Sequence, residues 1–149
     1  MARSPEHLSS LRPADALIAV MVVTSASDET LTNPELLTII GIVESLPMFE
    51  GYDRERMGTV SRTVFDLLEE EDGLDALFGL VRDALPESLY ETAYALACDV
   101  VAADGIPAGP ELRILEEIRY ELNIDRLHAA AIERGARARF AHPSAHGLK

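Results

Sequence analysis

The chain carries one short pattern twice, and the two copies lie 76 residues apart. Asp28 is followed after five residues by Pro-Glu-Leu at 34–36, and Asp104 is followed in the same way by Pro-Glu-Leu at 110–112. The same shift aligns eight identical residues over the 31 positions 16–46 without a gap. Any two amphipathic hairpins share apolar spacing, but this ungapped pattern favours one hairpin used twice. Such reuse constrains the fold, because each copy has to bury its apolar face against the other.

Apolar residues recur at helical spacing along almost the whole chain, and strand-like alternation is absent over any useful length. The stretches 16–26 and 93–103 are apolar on nearly all sides, which predicts two central helices. The predicted helices begin at Pro13, at Pro34 with Asn33 as N-cap, at Asp53, at Leu74, at Pro86, at Gly109, and at Arg126 with Asp125 as N-cap. We therefore predict an all-α compact bundle of about seven helices with a pseudo-repeated hairpin. The predicted domain covers residues 10–140, between tails at 1–9 and 141–149.

The charge of the chain limits its partners. Its 149 residues carry a net charge of −13, which repels phosphate groups and argues against nucleic-acid binding. Residues 126–149 contain five basic residues and one acid, which gives this segment a net charge of +4. The acidic residues 1–125 and this basic segment can therefore suit different partners.

The longest apolar run, at 16–23, is far below the roughly 20 residues of a membrane span. With no signal-peptide pattern at the start, we expect a cytoplasmic protein without direct membrane insertion.

Each copy of the repeated pattern, here called an elbow, places an aspartate at a helix end and a glutamate in the next first turn. Glu35 and Glu111 need no functional explanation, because the helix dipole stabilises an acid at that position. Asp28 and Asp104 sit where the dipole is unfavourable, so something should compensate. Loop N–H groups could bond to them, or a divalent cation could lie in each elbow between its two carboxylates and the free carbonyls of the helix end. Ca²⁺ and Mg²⁺ suit that oxygen set best, although neither elbow has the spacing of an EF-hand loop.

Several signatures of catalysis are missing from the sequence. We find no glycine-rich phosphate loop and no Gly-x-Ser-x-Gly nucleophile turn. Cys98 lies in an apolar stretch beside Asp99, which predicts a small core residue rather than a reactive thiol. His128 is expected to pack beside a helix interface. We therefore expect a protein without enzymatic activity.

The second elbow resembles the TerB-like tellurite-resistance family. The resemblance rests on Ala-Ala-Asp-Gly at 102–105 followed by Pro-Glu-Leu at 110–112, and the first elbow looks like the other copy of that family. It covers roughly residues 10–140 and implies a seven-helix cytoplasmic protein linked to tellurite resistance and chemical stress. It also implies metal ligands at Asp28, Glu35, Asp104 and Glu111, and membrane-associated or metal-handling protein partners. Asp28-Glu29 departs from the usual Asp-Gly, so the two sites need not be equivalent.

Three functions follow from these observations. The leading hypothesis is a non-enzymatic stress-response domain that binds or senses a divalent metal ion and docks to partner proteins. The alternative is a metal-independent protein-interaction scaffold, in which the elbows are turns and the acidic body and basic C-terminal helix are the working surfaces. The third is an enzyme for a small metabolite, which would require a deep pocket lined by convergent polar groups.

Overall fold

A computed structural model describes residues 11–26, 32–105 and 109–143. Within these residues the chain forms seven α-helices and two short 3₁₀ turns, at Pro47–Phe49 and Glu87–Leu89. The helices are α1 (Pro13–Ser25), α2 (Asn33–Ser45), α3 (Arg54–Leu68), α4 (Gly73–Ala84), α5 (Tyr90–Ala103), α6 (Gly109–Glu121) and α7 (Arg126–Arg139). The predicted all-α bundle of about seven helices is confirmed. The predicted tails, 1–9 and most of 141–149, lie outside the described residues.

Helices α1 and α5 form the centre of the bundle and pack against each other. Every residue of α1 from Asp15 to Ser25 is buried, because this helix is apolar on almost all sides. Helix α5 buries Tyr94, Cys98 and five other residues. None of the helices among the described residues combines the length and the apolar character needed to cross a lipid bilayer.

The other helices surround this centre in two similar sets, the first unit (α1–α3) and the second unit (α5–α7). Helix α3 packs on α1 as α7 packs on α5. Helices α2 and α6 each contact both central helices, and α4 packs against α1 and α3. The connection between the second and third helices is longer in the first unit than in the second. Eight residues separate Ser45 from Arg54, but four separate Glu121 from Arg126. Corresponding positions are therefore 76 residues apart in the first two helices and 72 apart in the third.

Four predicted helix starts differ from the structure. Helices α3 and α4 begin one residue away from the prediction, at Arg54 and Gly73, and the other two differences concern the cap of α2 and the start of α5. Thr32, not Asn33, is the N-cap of α2: its side chain accepts from the Glu35 N–H at 3.3 Å, and Glu35 accepts from the Thr32 N–H at 2.9 Å. Threonine followed three residues later by glutamate is a capping box, which satisfies two otherwise unpaired amides. Pro86 does not open α5 directly, because the 3₁₀ turn intervenes before Tyr90. Asp125 caps α7 as predicted, accepting from two backbone N–H groups.

Candidate functional site

A cavity of about 560 Å³ lies between α5, α6 and α7 of the second unit. Its volume falls in the range of small-molecule sites. The lining residues are Tyr94, Cys98, Val101, Ala102, Gly105, Leu112, Leu115, Glu116, Arg119, Glu133, Ala136, Arg137, Phe140 and His142. The cavity therefore combines apolar walls with several polar and charged groups.

Three polar contacts hold α7 against α5 and so fix one wall of this cavity. Glu91 pairs with His128 at 2.8 Å near the start of α7. The Tyr94 hydroxyl donates to Glu133 in the middle, and Arg139 pairs with Asp99 at the end. His128 lies beside the α5–α7 interface, as predicted, through its contact with Glu91, but its side chain is 59% exposed and is not packed into the core.

The floor of the cavity is formed by buried residues of α5. Tyr94 is 1% exposed and Cys98 is 4% exposed, which confirms the prediction of a buried cysteine. Burial raises the pKa of the Cys98 thiol to about 12, and the nearby Glu133 and Asp99 carboxylates also favour the neutral form. Burial and the hydrogen bond to Glu133 raise the pKa of the Tyr94 phenol as well. Both groups therefore stay protonated at neutral pH.

The mouth of the cavity carries charged side chains from α6 and α7. Arg119 is half-buried and Arg137 is exposed. Neither forms an ion pair or a hydrogen bond with any other described residue. The same holds for Arg62, Arg113, Arg126 and Arg134, but those four lie outside the cavity. Within the described part of the chain, no carboxylate neutralises these two guanidinium groups at the mouth.

The first unit carries apolar residues at the positions of four of these lining residues. The positions that correspond to Tyr94, Cys98, Arg119 and Arg137 are, in the first unit, Ile18, Val22, Val43 and Phe65. Ile18, Val22 and Val43 are buried in the core and Phe65 packs against it. The first unit thus completes a similar packing scheme with apolar side chains. Of these four residues of the second unit, only Tyr94 makes a polar contact between helices among the described residues, with Glu133.

The predicted elbow ligands are only partly described. Asp28 lies outside the described residues. Glu35 uses its carboxylate in the capping box of α2, Asp104 is exposed at the end of α5, and Glu111 lies half-buried in the first turn of α6. Among the described residues, neither Asp104 nor Glu111 belongs to a group of three or more potential ligands that could share an ion. The elbow metal site stays a prediction.

A group of potential cation ligands occurs elsewhere, between α4 and α6. One ligand atom from each of Asp75, Glu117 and Glu121 lies within 4.8 Å of the others. Burial raises the pKa of Glu117, and the negative charge of Glu121 adds to the effect. Glu121 also pairs with Arg82 of α4. The group thus brings carboxylates of α4 and of α6 in the second unit close together in space.

Sequence reasoning missed both the cavity and this carboxylate group. Asp75 and Glu117 lie on surface positions of different helices, and no spacing in the chain indicates that they meet. The sequence contains one indication of the cavity. When the two copies of the repeat are aligned, Tyr94 and Cys98 stand at the positions of the apolar residues Ile18 and Val22. Polar residues that enter one copy of a repeated core are a signal that such an alignment can detect.

Comparison of the chain with protein-family models, with curated proteins and with solved structures finds no significant match.

Proposed function

We propose that this protein is a non-enzymatic, TerB-like stress-response domain that acts by binding, and that the cavity between α5, α6 and α7 receives its ligand or a partner side chain. The observation that carries this proposal is the polar lining of the second unit, set against the apolar core at the corresponding positions of the first. Arg119 and Arg137 pair with no other described residue, so no polar contact within the described part of the chain accounts for them. A binding role explains their presence.

The two buried polar groups on the floor of the cavity, Tyr94 and Cys98, favour binding over catalysis. Catalytic nucleophiles and general bases work when their pKa lies near the working pH. The Cys98 thiol, with a pKa of about 12, is overwhelmingly neutral, and the raised pKa of the Tyr94 phenol has the same consequence. A neutral thiol and a neutral phenol contribute shape and weak polarity, which suits recognition.

Binding of a divalent cation is the second candidate function, and the group Asp75, Glu117 and Glu121 favours it. Three carboxylates held within 4.8 Å repel one another, and a hard cation such as Ca²⁺ or Mg²⁺ would neutralise that repulsion. An ion bound there would link α4 to α6. Because α6 also lines the cavity, ion binding could change the shape of the cavity wall. The TerB-like elbow ligands are the competing location for the same ion.

Calorimetric titration with Ca²⁺, Mg²⁺, Mn²⁺ and Zn²⁺ separates these locations. The wild type is compared with Asp75→Asn/Glu117→Gln and with Asp104→Asn/Glu111→Gln, which remove equal charge from the two places. Heat lost only in the first double variant assigns the ion to the carboxylate group, and heat lost only in the second assigns it to the elbow. No heat and no melting shift with any ion excludes the cation function.

The metal-independent scaffold is distinguished by partner capture. As a TerB-like cytoplasmic domain, the protein is proposed to dock to other proteins, including membrane-associated stress-response components, without nucleic acid. Capture that persists in chelator and is lost on Arg137→Gln supports the cavity as the docking site. Capture that needs the ion supports cation-coupled docking.

The binding proposal as a whole is tested by NMR fragment screening: it fails if no fragment perturbs the amides of Tyr94, Val101 and Leu115.

A further inference from the structure

We infer that the cavity of the second unit binds an amphipathic small molecule with a hydrocarbon tail and a carboxylate head, such as a medium-chain fatty acid. This inference rests on the proposed binding function and names the ligand of that same site. It follows from the gradient of burial and charge from the floor of the cavity to its mouth.

The inner part of the cavity suits the tail. Val101, Leu115 and Ala136 are almost fully buried and present hydrocarbon surface. The Tyr94 hydroxyl already donates to Glu133, so the floor does not offer an unsatisfied donor to a polar head. Hydrocarbon that fills such a space gains affinity with each buried methylene, by about fourfold.

The mouth suits an anionic head. Arg119 and Arg137 come from different helices, and both lack a partner among the described residues. Glu133 lies four residues before Arg137, at the spacing of a helical ion pair, but its carboxylate accepts from Tyr94 instead. Glu116 and Arg137 at the rim are both exposed, so water screens both charges, whereas Arg119 is half-buried and its charge is screened less. Guanidinium groups bind carboxylates through paired hydrogen bonds, which favours this head group.

The two arginines stand out against the charge of the rest of the chain, which is mostly negative. A net charge of −13 repels anions over most of the surface. In the first unit, apolar Val43 and Phe65 occupy the positions of Arg119 and Arg137. An arginine pair placed at the entrance of an apolar cavity, against both the overall charge and the repeat, is the feature that selects an acid over a neutral or cationic amphiphile.

The test titrates the full chain with dodecanoate, dodecan-1-ol and dodecyltrimethylammonium, each below the concentration at which it aggregates. We expect dodecanoate to bind best, and octanoate and decanoate to bind about fourfold more weakly per missing methylene. Arg119→Gln/Arg137→Gln should weaken dodecanoate by about tenfold or more and leave dodecan-1-ol unchanged. Arg113→Gln/Arg126→Gln makes the same change of charge on the same helices outside the cavity, and it should leave dodecanoate binding intact.

A second variant tests the tail without touching the charges. Ala136→Val introduces the residue that the first unit carries at the corresponding position, Val64, so the bundle should tolerate it. It should weaken the longer acids more than octanoate, because the larger side chain reduces the volume of the cavity.

Each remaining outcome overturns the inference in a recognisable way. Equal binding of alcohol and acid, or tighter binding of the ammonium compound, rejects the carboxylate while leaving a binding cavity. Binding of dodecanoate that the control double variant weakens as much as Arg119→Gln/Arg137→Gln rejects the site. Partner capture through Arg137 without any alkyl binding assigns the cavity to a protein and rejects the small ligand. These outcomes reject the fatty-acid ligand and leave the proposed binding function in place. The proposed function is rejected as well only if no fragment binds in the NMR screen.

Discussion

Glu91 and His128 form an ion pair at 2.8 Å at the place in the second unit where Asp15 and Arg56 pair in the first. Asp15 and Glu91 lie 76 residues apart near the starts of the two central helices, and Arg56 and His128 are the third residues of α3 and α7. Both pairs fasten the third helix of a unit to its central helix. The Asp15 carboxylate is fully buried, whereas Glu91 and His128 are both more than half exposed. The buried pair in the first unit should therefore contribute more to the free energy of unfolding than the exposed pair in the second.

Replacing Asp15 with asparagine should destabilise the protein strongly. The carboxylate accepts from Tyr52 at 2.6 Å, from Arg56 Nε at 3.0 Å and from the Arg12 N–H at 2.9 Å. Removal of one partner from a buried pair leaves the other charge uncompensated, and Arg56 is only 31% exposed. We expect Asp15→Asn to lower the free energy of unfolding by about 3 kcal/mol in urea denaturation. Glu91→Gln is the matched control at the exposed pair and should cost much less; equal losses would contradict this assignment.

The buried pair also predicts how stability changes in acid. Burial by itself would raise the pKa of Asp15, but hydrogen bonds from Arg56 and Tyr52 outweigh it, and the pKa lies below its ordinary value of 3.8. A group with a lowered folded-state pKa stabilises the protein above its unfolded pKa, and this contribution is lost as the pH falls through the folded value. Wild type should thus lose stability below about pH 4. Thermal melts should show a weaker acid dependence for Asp15→Asn than for wild type, and parallel curves would count against the pair.

His128 should titrate above an ordinary histidine. The hydrogen bond to Glu91, with the negative charges of Glu91 and Asp125, raises its pKa from 6.5. The pair therefore contributes stability below the unfolded pKa and loses it as the pH rises through the folded value. NMR titration of the imidazole should show the raised pKa in wild type and a lower one in Glu91→Gln. Superimposable titration curves would show that the pair does not persist in solution.

Two glycines of α4 should respond in opposite ways to alanine. A Cβ at Gly73 would lie 1.7 Å from the Leu67 carbonyl oxygen, so the backbone would have to move. Gly79 has open space around the same position. We expect Gly73→Ala to destabilise by about 3 kcal/mol and Gly79→Ala to stabilise by about 0.5 to 1 kcal/mol, because alanine favours a helix interior. Chemical denaturation of both variants measures the difference; a neutral Gly73→Ala would refute the close approach.

The Cys98 thiol should react slowly in the folded protein. Its pKa of about 12, against 9.0 for an unperturbed thiol, lowers the thiolate fraction, and the side chain is 4% exposed. Labelling by a disulfide reagent at pH 8 should be about a hundredfold slower or more than in denatured chain at the same pH. Rapid stoichiometric labelling of the native protein would show that the cavity floor opens to solvent.

Much of the helical framework could be predicted because its causes are local. The apolar run at 16–23 and the mixed stretch at 93–103 indicate buried helices, and Asp53 and Asp125 cap the helices that follow them. Thr32 was missed as a cap because Asn33 and Pro34 also fit a helix start, and only the backbone decides between them. The exposed position of His128 was missed for a different reason, since it depends on how deeply α7 lies against α5.

The sequence by itself determined the helices, the repeat of one hairpin and the acidic character of the chain, since these depend on residue spacing and composition. The tertiary structure decided where side chains from distant segments meet. Tyr94 reaches Glu133, and Asp75 reaches Glu117, only because helices far apart in the chain pack side by side. The cavity likewise arises from the space that three helices leave between them. Helix spacing follows from neighbours in the chain, but cavities and clusters depend on neighbours in space.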